Sequence, residues 1–222
     1  MSTPRFTPKC VLFDLDGTLV DTAPDLGAAA NAVRVEQGLS PLPQWRYRPY
    51  ASAGARGLLR IALNKRHDAP DFQPLRDRFL QIYREHIAEQ SRLFDNMDAV
   101  LSGFESERRL WGVVTNKPGW LTRPLMDALA LTPRAACIVS GDDAPKPKPA
   151  PDTLLLACER AGVSPQDCVY VGDDHRDVVA ARAAGMPVIA AVWGYLGDQP
   201  HPETWNADAL ALDPADLSTL IT

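Results

Sequence analysis

Residues 14–18 have the sequence DLDGT, follow a short apolar run and place two carboxylates two positions apart. Ligands of open α/β sheets bind outside the carboxyl ends of strands, so this acidic turn is a candidate reaction site. Asp14 and Asp16 can face one pocket with different environments and roles. Gly17 permits the turn, and the Thr18 hydroxyl can fix a neighbouring carboxylate. The alternative is an acidic turn that only ends a strand, because short motifs also occur by chance.

Three further segments carry groups that could act on the same ligand. Thr115 and Asn116 follow a second apolar run and offer a hydroxyl and backbone N–H groups to phosphate oxygens. Lys148 lies in a proline-stiffened segment that leads into a predicted helix. A last acidic group, which follows another apolar run, comprises Asp173, Asp174 and Asp177.

Convergence of these carboxylates would require a cation. Four aspartates would bring four negative charges to a site where one lysine returns a single positive charge, and a phosphate dianion could not approach it. A hard divalent cation would reverse the local field, and Mg²⁺ suits carboxylate, phosphate and water oxygens. Because the set contains no His or Cys, zinc is disfavoured. The four carboxylates are those of Asp14, Asp16, Asp173 and Asp177.

Short apolar runs alternate with helical patterns over most of the chain, which predicts a parallel sheet with helices on both faces. The strands are predicted at residues 10–13, 111–114, 137–139, 168–171, 188–192 and 209–212.

One region breaks the alternation and predicts a helical domain inserted after the first strand. It contains helical patterns at residues 23–37, 54–64 and 74–90, with an ordered connection at 41–50. The predicted organisation is an α/β core of residues 1–18 and 91–222 and a helical domain, the insert, of residues 19–90.

Composition and charge exclude several other functions. The chain has 222 residues with 23 Lys and Arg against 28 Asp and Glu, a net charge of −5, which disfavours nucleic-acid and membrane partners. No apolar run approaches the roughly 18 residues of a membrane span, and residues 1–9 lack a secretory pattern. The four cysteines form no CxxC pair, so we expect free thiols in a cytoplasmic protein.

Together the motifs resemble those of the haloacid dehalogenase superfamily over residues 11–195. The resemblance rests on DLDGTL at 14–19, TNKP at 115–118, KP at 148–149, and GDD at 172–174 with Asp177. It implies a Rossmann-like core with an inserted C1-type helical cap domain. The insert resembles the cap of the phosphoglycolate phosphatase branch.

The resemblance implies a Mg²⁺-dependent phosphomonoester hydrolase. Asp14 would attack phosphorus and form an aspartyl phosphate, and Asp16 would act as general acid and then general base. Lys148 would offset charge on the nucleophile and the phosphoryl group. The implied phosphate-binding residues are Thr115 and Asn116, and the implied metal site comprises Asp14, the Asp16 carbonyl and Asp173, with Asp177 and Asp174 farther from the ion.

Substrate choice is expected to lie in the insert, because the core motifs recognise only the phosphoryl group. Arg56, close to Gly54 at a predicted helix start, could pair bidentately with a substrate carboxylate, or could be a solvated surface arginine. Residues 52–56, 92–95, 111–118 and 156–158 are most similar to phosphatases of N-acetylmuramic acid 6-phosphate, which act in cell-wall recycling. Phosphatases of 2-phosphoglycolate are the alternative. The expected partner is a small phosphorylated metabolite, and the expected state is a monomer or homodimer.

Two other readings remain open within this fold. A phosphomutase of the β-phosphoglucomutase type shares core and cap, and a catalytically silent binding module would keep the fold alone. Superfamily members that cleave carbon–halogen bonds lack an acid at the position of Asp16, so its presence favours phosphoryl chemistry.

Overall fold

A six-stranded parallel sheet forms the centre of the computed structural model, which describes residues 5–222. The chain's strands are β1 (Cys10–Phe13), β2 (Val20–Asp21), β3 (Arg92–Leu93), β4 (Leu110–Val114), β5 (Cys137–Val139), β6 (Cys168–Gly172), β7 (Val188–Ala191) and β8 (Ala209–Ala211). The sheet order is β5, β4, β1, β6, β7, β8. The predicted α/β fold with six parallel strands is therefore confirmed.

Helices cover both faces of the sheet, as predicted. The α-helices are α1 (Ala23–Glu36), α2 (Gly54–Leu63), α3 (Phe72–Glu85), α4 (Met97–Ser106), α5 (Gly119–Ala128), α6 (Asp152–Ala161), α7 (His175–Ala183) and α8 (Leu217–Leu220). Apolar side chains of α4, α5 and α8 pack on one face, and those of α6 and α7 pack on the other. The four cysteines are buried free thiols on the face covered by α6 and α7.

The central position of β1 brings the candidate site residues together. It pairs in parallel with β4 on one side and with β6 on the other. Because the carboxyl ends of parallel strands lie at one edge of the sheet, the segments after β1, β4 and β6 meet there. All four residues of β1 are fully buried, which explains its uninterrupted apolar sequence.

The insert contains α1, α2 and α3, packed around another hydrophobic cluster that also includes Leu121 and Tyr195 of the core. The helix predicted at 74–90 spans Phe72–Glu85 instead, because residues 86–90 form turns and bends, with the Gln90 N–H bound to the Asp25 carboxylate. A two-stranded antiparallel pair of β2 and β3 lies where the chain enters and leaves the insert. We did not predict this pair, since two-residue strands carry no readable alternation. The division into two domains remains a prediction.

Asp25 ties the first helix of the insert to the returning chain. Its side chain is almost fully buried, with an exposed fraction of 2% for the residue. The carboxylate accepts hydrogen bonds from Gln90 N at 3.0 and 3.1 Å, from Ser91 N at 2.8 Å and from Ser91 Oγ at 2.6 Å. One side chain thus satisfies two backbone N–H groups at the junction.

We expect Asp25→Ala to lower the free energy of unfolding by about 3 kcal/mol, because it leaves buried donors without their charged acceptor. Urea denaturation followed by tryptophan fluorescence measures this change. Asp98→Ala is the matched control: Asp98 is also in the first turn of a helix, but its exposed pair with Arg134 is worth about 1 kcal/mol or less. Equal losses for the two variants would contradict the structural role of Asp25.

Candidate active site

Residues from the sheet edge and the insert surround one cavity of about 490 Å³. The insert contributes residues of α2 and α3 and of the segment that precedes α2, so it forms the roof over the sheet edge. The predicted site residues that line the cavity are Asp14, Asp16, Gly54, Arg56, Thr115 and Asn116. Arg56 is exposed at its rim.

Three buried carboxylates form a triad at the base of this site. One oxygen from each of Asp14, Asp173 and Asp177 lies within 4.8 Å of the others. Burial raises the pKa of Asp14 to about 6, and the neighbouring Asp177 contributes to the rise. Burial and the charges of Asp14 and Asp177 also raise the pKa of Asp173 well above its usual range. The triad is therefore short of positive charge.

Lys148 supplies the cation that contacts two of the three carboxylates. Its Nζ lies 3.0 Å from Asp14 Oδ1 and 2.8 Å from Asp177 Oδ1, and it donates to Val114 O at 2.9 Å and Tyr170 Oη at 2.7 Å. The side chain is completely buried. Burial alone would lower the pKa of Lys148, but the two carboxylates raise it, so the ammonium stays charged.

Asp173, the third member, has a different environment. Thr18 Oγ1 donates to Asp173 Oδ1 at 2.9 Å, which confirms that this hydroxyl fixes a carboxylate. The backbone N–H of Tyr195 donates to Oδ2 at 2.7 Å. Gly17 has φ +91°, and a Cβ there would lie 2.2 Å from Oδ2, so the close approach requires glycine.

The charges and donor atoms of the triad fit a divalent cation. Asp173 forms no ion pair with any lysine or arginine in residues 5–222, although it is fully buried beside two other carboxylates. All its neighbours in the cluster offer oxygen, the donor that Mg²⁺ prefers. The structure thus shows a buried acidic cluster able to hold a metal ion.

Asp174 lies outside the triad and caps a helix. Its Oδ1 accepts from Arg176 N at 2.9 Å, while Asp177 Oδ2 accepts from Asp174 N at 3.1 Å. This reciprocal arrangement fixes the start of α7 and thereby the position of Asp177. Asp177 lies within the cluster and is paired with Lys148.

Asn116 positions the catalytic lysine candidate through its side chain. Its amide group donates to Lys148 O at 2.8 Å and accepts from Lys148 N at 2.9 Å. Thr115 is 2% exposed, and its Oγ1 accepts from Lys117 N at 3.1 Å. Binding of phosphoryl oxygens by the Thr115 hydroxyl and the Asn116 backbone stays a prediction.

The Asp16 side chain is held apart from the triad. Its Oδ1 accepts from Thr22 Oγ1 at 2.7 Å and from Lys117 Nζ at 2.8 Å. Burial alone would lower the pKa of Lys117, but the nearby carboxylate of Asp16 raises it, and the net effect is a raised pKa. We did not single out Lys117 in the sequence, although its position directly after Thr115 and Asn116 at a strand end was the available signal.

Two other residues at the site were also missed. Arg176 lines the cavity and lies in the acidic segment that follows β6. Ser52 lines it from the insert, and no spacing in the sequence indicated its contact with the core.

The parallel sheet and the carboxylate cluster at its edge define a Rossmann-type α/β enzyme whose active site is built at strand ends. The model of the haloacid dehalogenase-like hydrolase family matches residues 11–191, and the chain belongs to this family. No helix within residues 5–222 is both long and apolar enough to cross a membrane.

Named relatives extend over almost the whole chain. A phosphoglycolate phosphatase of Xylella fastidiosa is 46% identical over 211 residues, 95% of this chain and 92% of its own length. An N-acetylmuramic acid 6-phosphate phosphatase of Pseudomonas aeruginosa is 40% identical over 213 residues, 96% of this chain and 94% of its own length. The crystal structure of a predicted phosphoglycolate phosphatase from Haemophilus somnus is similar with a TM-score of 0.81 and 27% identity, covering 95% of this chain and 96% of that one. The chain is accordingly a phosphatase.

Proposed function

We propose that the chain hydrolyses a phosphorylated sugar acid, with Mg²⁺, through an aspartyl-phosphate intermediate. The observation that carries this proposal is the convergence of Asp14, Lys148 and Asp173 beneath a cavity that also contains Asp16. The proposed metal site comprises Asp14, Asp173 and the backbone carbonyl of Asp16. Asp177, which pairs with Lys148 in the same triad, and Asp174, which caps α7, support the site without binding the ion directly. Bound Mg²⁺ would neutralise the negative charge of the carboxylates and the phosphoryl group.

In the first step, a carboxylate oxygen of Asp14 attacks phosphorus, and the bond from phosphorus to the substrate oxygen breaks. Asp16 gives its proton to the departing alkoxide. Lys148 holds Asp14 in position and offsets charge on the phosphoryl group, while Thr115 and the Asn116 backbone bind its oxygens.

In the second step, Asp16 takes a proton from water, and the water oxygen attacks the phosphorus of the aspartyl phosphate. The bond between phosphorus and the Asp14 oxygen breaks, which releases inorganic phosphate and restores the free carboxylate. The buried position of Asp14, which is 4% exposed, restricts water to the route through the cavity.

The cavity supports N-acetylmuramic acid 6-phosphate as the substrate over 2-phosphoglycolate. Its volume of about 490 Å³ lies in the range of roughly 300–1,000 Å³ of pockets that enclose a whole organic ligand. A two-carbon acid would leave most of this space filled with water. Apolar side chains from the insert, Leu26, Phe79 and Leu80, can contact the acetyl and lactyl methyl groups of the sugar acid.

The test is hydrolysis of both substrates by the purified protein, with and without Mg²⁺, followed by release of inorganic phosphate. We expect a higher kcat/KM for N-acetylmuramic acid 6-phosphate and loss of activity in EDTA. A higher kcat/KM for 2-phosphoglycolate would reverse the substrate assignment. Retention of phosphate on a sugar product would instead indicate a mutase.

Arg56→Ala tests the proposed recognition of the substrate carboxylate. Loss of a charge-assisted pair is expected to lower kcat/KM for both carboxylated substrates by about 10- to 100-fold. Hydrolysis of p-nitrophenyl phosphate, which has no carboxylate, should change little. The control is Arg66→Ala, since Arg66 is 79% exposed and pairs locally with Asp68. An equal loss on all three substrates would show that Arg56 has another role.

A further inference from the structure

Ser52 is the residue of the insert that contacts the oxygens of the proposed metal site. Its Oγ lies 3.0 Å from the backbone carbonyl oxygen of Asp16 and 2.9 Å from Asp173 Oδ2. A hydroxyl has a single proton, so the two acceptors share it. Both acceptors belong to the oxygen set that we propose for Mg²⁺.

The core also holds Ser52 from the other side. Arg176 Nη2 donates to the backbone carbonyl oxygen of Ser52 at 2.6 Å. Arg176 belongs to α7, the helix that carries Asp177, and pairs with Asp174 at 3.4 Å. Ser52 is therefore bound through both its side chain and its main chain to the segments that carry the acidic triad.

The backbone after Ser52 explains how the insert presents this hydroxyl. A 3₁₀ helix, Arg48–Ala53, ends at Gly54, whose φ of +57° and ψ of −147° lie in a region that is essentially restricted to glycine. Within residues 5–222, no atom beyond Gly54 and its two chain neighbours lies within 4 Å of the position of a Cβ at Gly54, so the glycine provides the conformation and not space. The chain turns at Gly54 into α2, while Ser52 stays in contact with Asp16 and Asp173 at the sheet edge.

Ser52 adds the insert to a set of contacts that otherwise come from the core. Thr18 and the Tyr195 backbone orient Asp173 from the segments that follow β1 and β7. Partners that orient metal ligands raise affinity by fixing the ligand atoms before the ion arrives. A contact of this kind from a separate group of helices makes ligand orientation depend on the position of those helices.

We propose that Ser52 couples closure of the insert over the cavity to binding of the metal ion. When the insert is closed, the Ser52 hydroxyl orients Asp173 and the Asp16 carbonyl for the ion. By thermodynamic reciprocity, an ion that fixes these oxygens favours the closed insert to the same extent. The inference rests on the proposed Mg²⁺ site and goes beyond it by assigning a role to the insert.

The test is a calorimetric titration of Mg²⁺ into the wild-type protein and Ser52→Ala, in the absence of substrate. We expect the Kd of the variant to be about tenfold higher, as for other partners of metal ligands. Ser106→Ala is the control, because the exposed hydroxyl of Ser106 donates to Gly103 O within its own helix, its one partner in the described part of the chain. Hydrogen exchange of residues 48–54 provides the second readout, and Mg²⁺ should slow it in the wild type more than in Ser52→Ala.

Equal Kd values for the wild type and Ser52→Ala, or the same Mg²⁺ effect on exchange in both, would overturn the coupling. A wild-type protein that binds no Mg²⁺ would overturn the metal site and the coupling together. Mg²⁺ binding without hydrolysis of any phosphomonoester would overturn the proposed function and leave the role of Ser52 standing.

Discussion

Asp14→Asn is expected to lower kcat for hydrolysis of p-nitrophenyl phosphate by about 10⁴-fold or more, because an amide cannot form the aspartyl phosphate. The fold should be unchanged, since asparagine has nearly the same size as aspartate. Steady-state assays with saturating Mg²⁺ measure the loss. Asp142→Asn is the matched control: Asp142 lines the same cavity, and its acceptor role toward Gly119 N can be taken over by an amide oxygen. Activity of Asp14→Asn near that of the wild type would exclude Asp14 as the nucleophile.

The same substitution is expected to stabilise the metal-free protein at high pH. The pKa of Asp14 is raised from 3.8 to about 6 by burial. A carboxyl group whose pKa is raised in the folded state ionises more readily in the unfolded chain. The free energy of unfolding therefore falls as the pH rises from about 4 to about 6. The difference between a pKa of 3.8 and one of about 6 corresponds to about 3 kcal/mol. Asparagine does not ionise, so the gain in the free energy of unfolding of Asp14→Asn over the wild type should be complete near pH 8 and smaller near pH 5.

Urea denaturation in EDTA at pH 5 and pH 8 measures this gain. A difference in unfolding free energy between Asp14→Asn and wild type that does not grow with pH would contradict an ionisation cost at Asp14. Saturating Mg²⁺ should reduce the difference, because the ion stabilises the wild-type carboxylate and binds the variant less well.

Lys148→Met is expected to cost about 3–5 kcal/mol of stability in the metal-free protein and to abolish hydrolysis. Methionine fills a similar volume but leaves the carboxylates of Asp14 and Asp177 buried without their cation. Since small proteins are stable by only about 5–15 kcal/mol, the loss is measurable by urea denaturation.

Asp177→Asn in the Lys148→Met background tests the physical cause of that loss. Removing one of the two uncompensated charges should restore part of the stability without restoring activity, so the two substitutions should be strongly non-additive. Additive losses in the double variant would mean that Lys148 stabilises the fold by packing and not by charge.

Much of the site was predictable because strand-end segments meet in a parallel sheet. The strands and their parallel order indicated that the segments after β1, β4 and β6 could act on one ligand, and the family resemblance implied that Asp14 and Asp173 share a site. The structure brings these two carboxylates into one cluster. The apolar runs were readable because strands covered on both faces have no polar positions. The sequence indicated that the Thr18 hydroxyl can fix a neighbouring carboxylate, and the structure identifies that carboxylate as Asp173.

Contacts that depend on how the insert lies over the core could not be predicted. The hydrogen bonds of Ser52 with Asp173 and Arg176 join segments with no shared periodicity. The pairing of Asp16 with Lys117 was also not predictable. A lysine at a strand end can face solvent as readily as it can reach a neighbouring carboxylate. Roles in substrate binding, including that of Arg56, remain predictions.

The place of β1 in the sheet affects when the protein acquires its site during synthesis. Its residues precede those of its neighbour β6, which ends at Gly172, and the hydrogen-bonded pair of Thr18 and Asp173 spans 155 positions. Pairings between distant segments form slowly because a long loop must close first. A nascent chain therefore exposes Asp14 and Asp16 on the ribosome well before a complete acidic cluster can assemble. The cluster can form only after β6, Asp173 and Asp177 have been synthesised, so Asp14 lacks its two acidic neighbours until then.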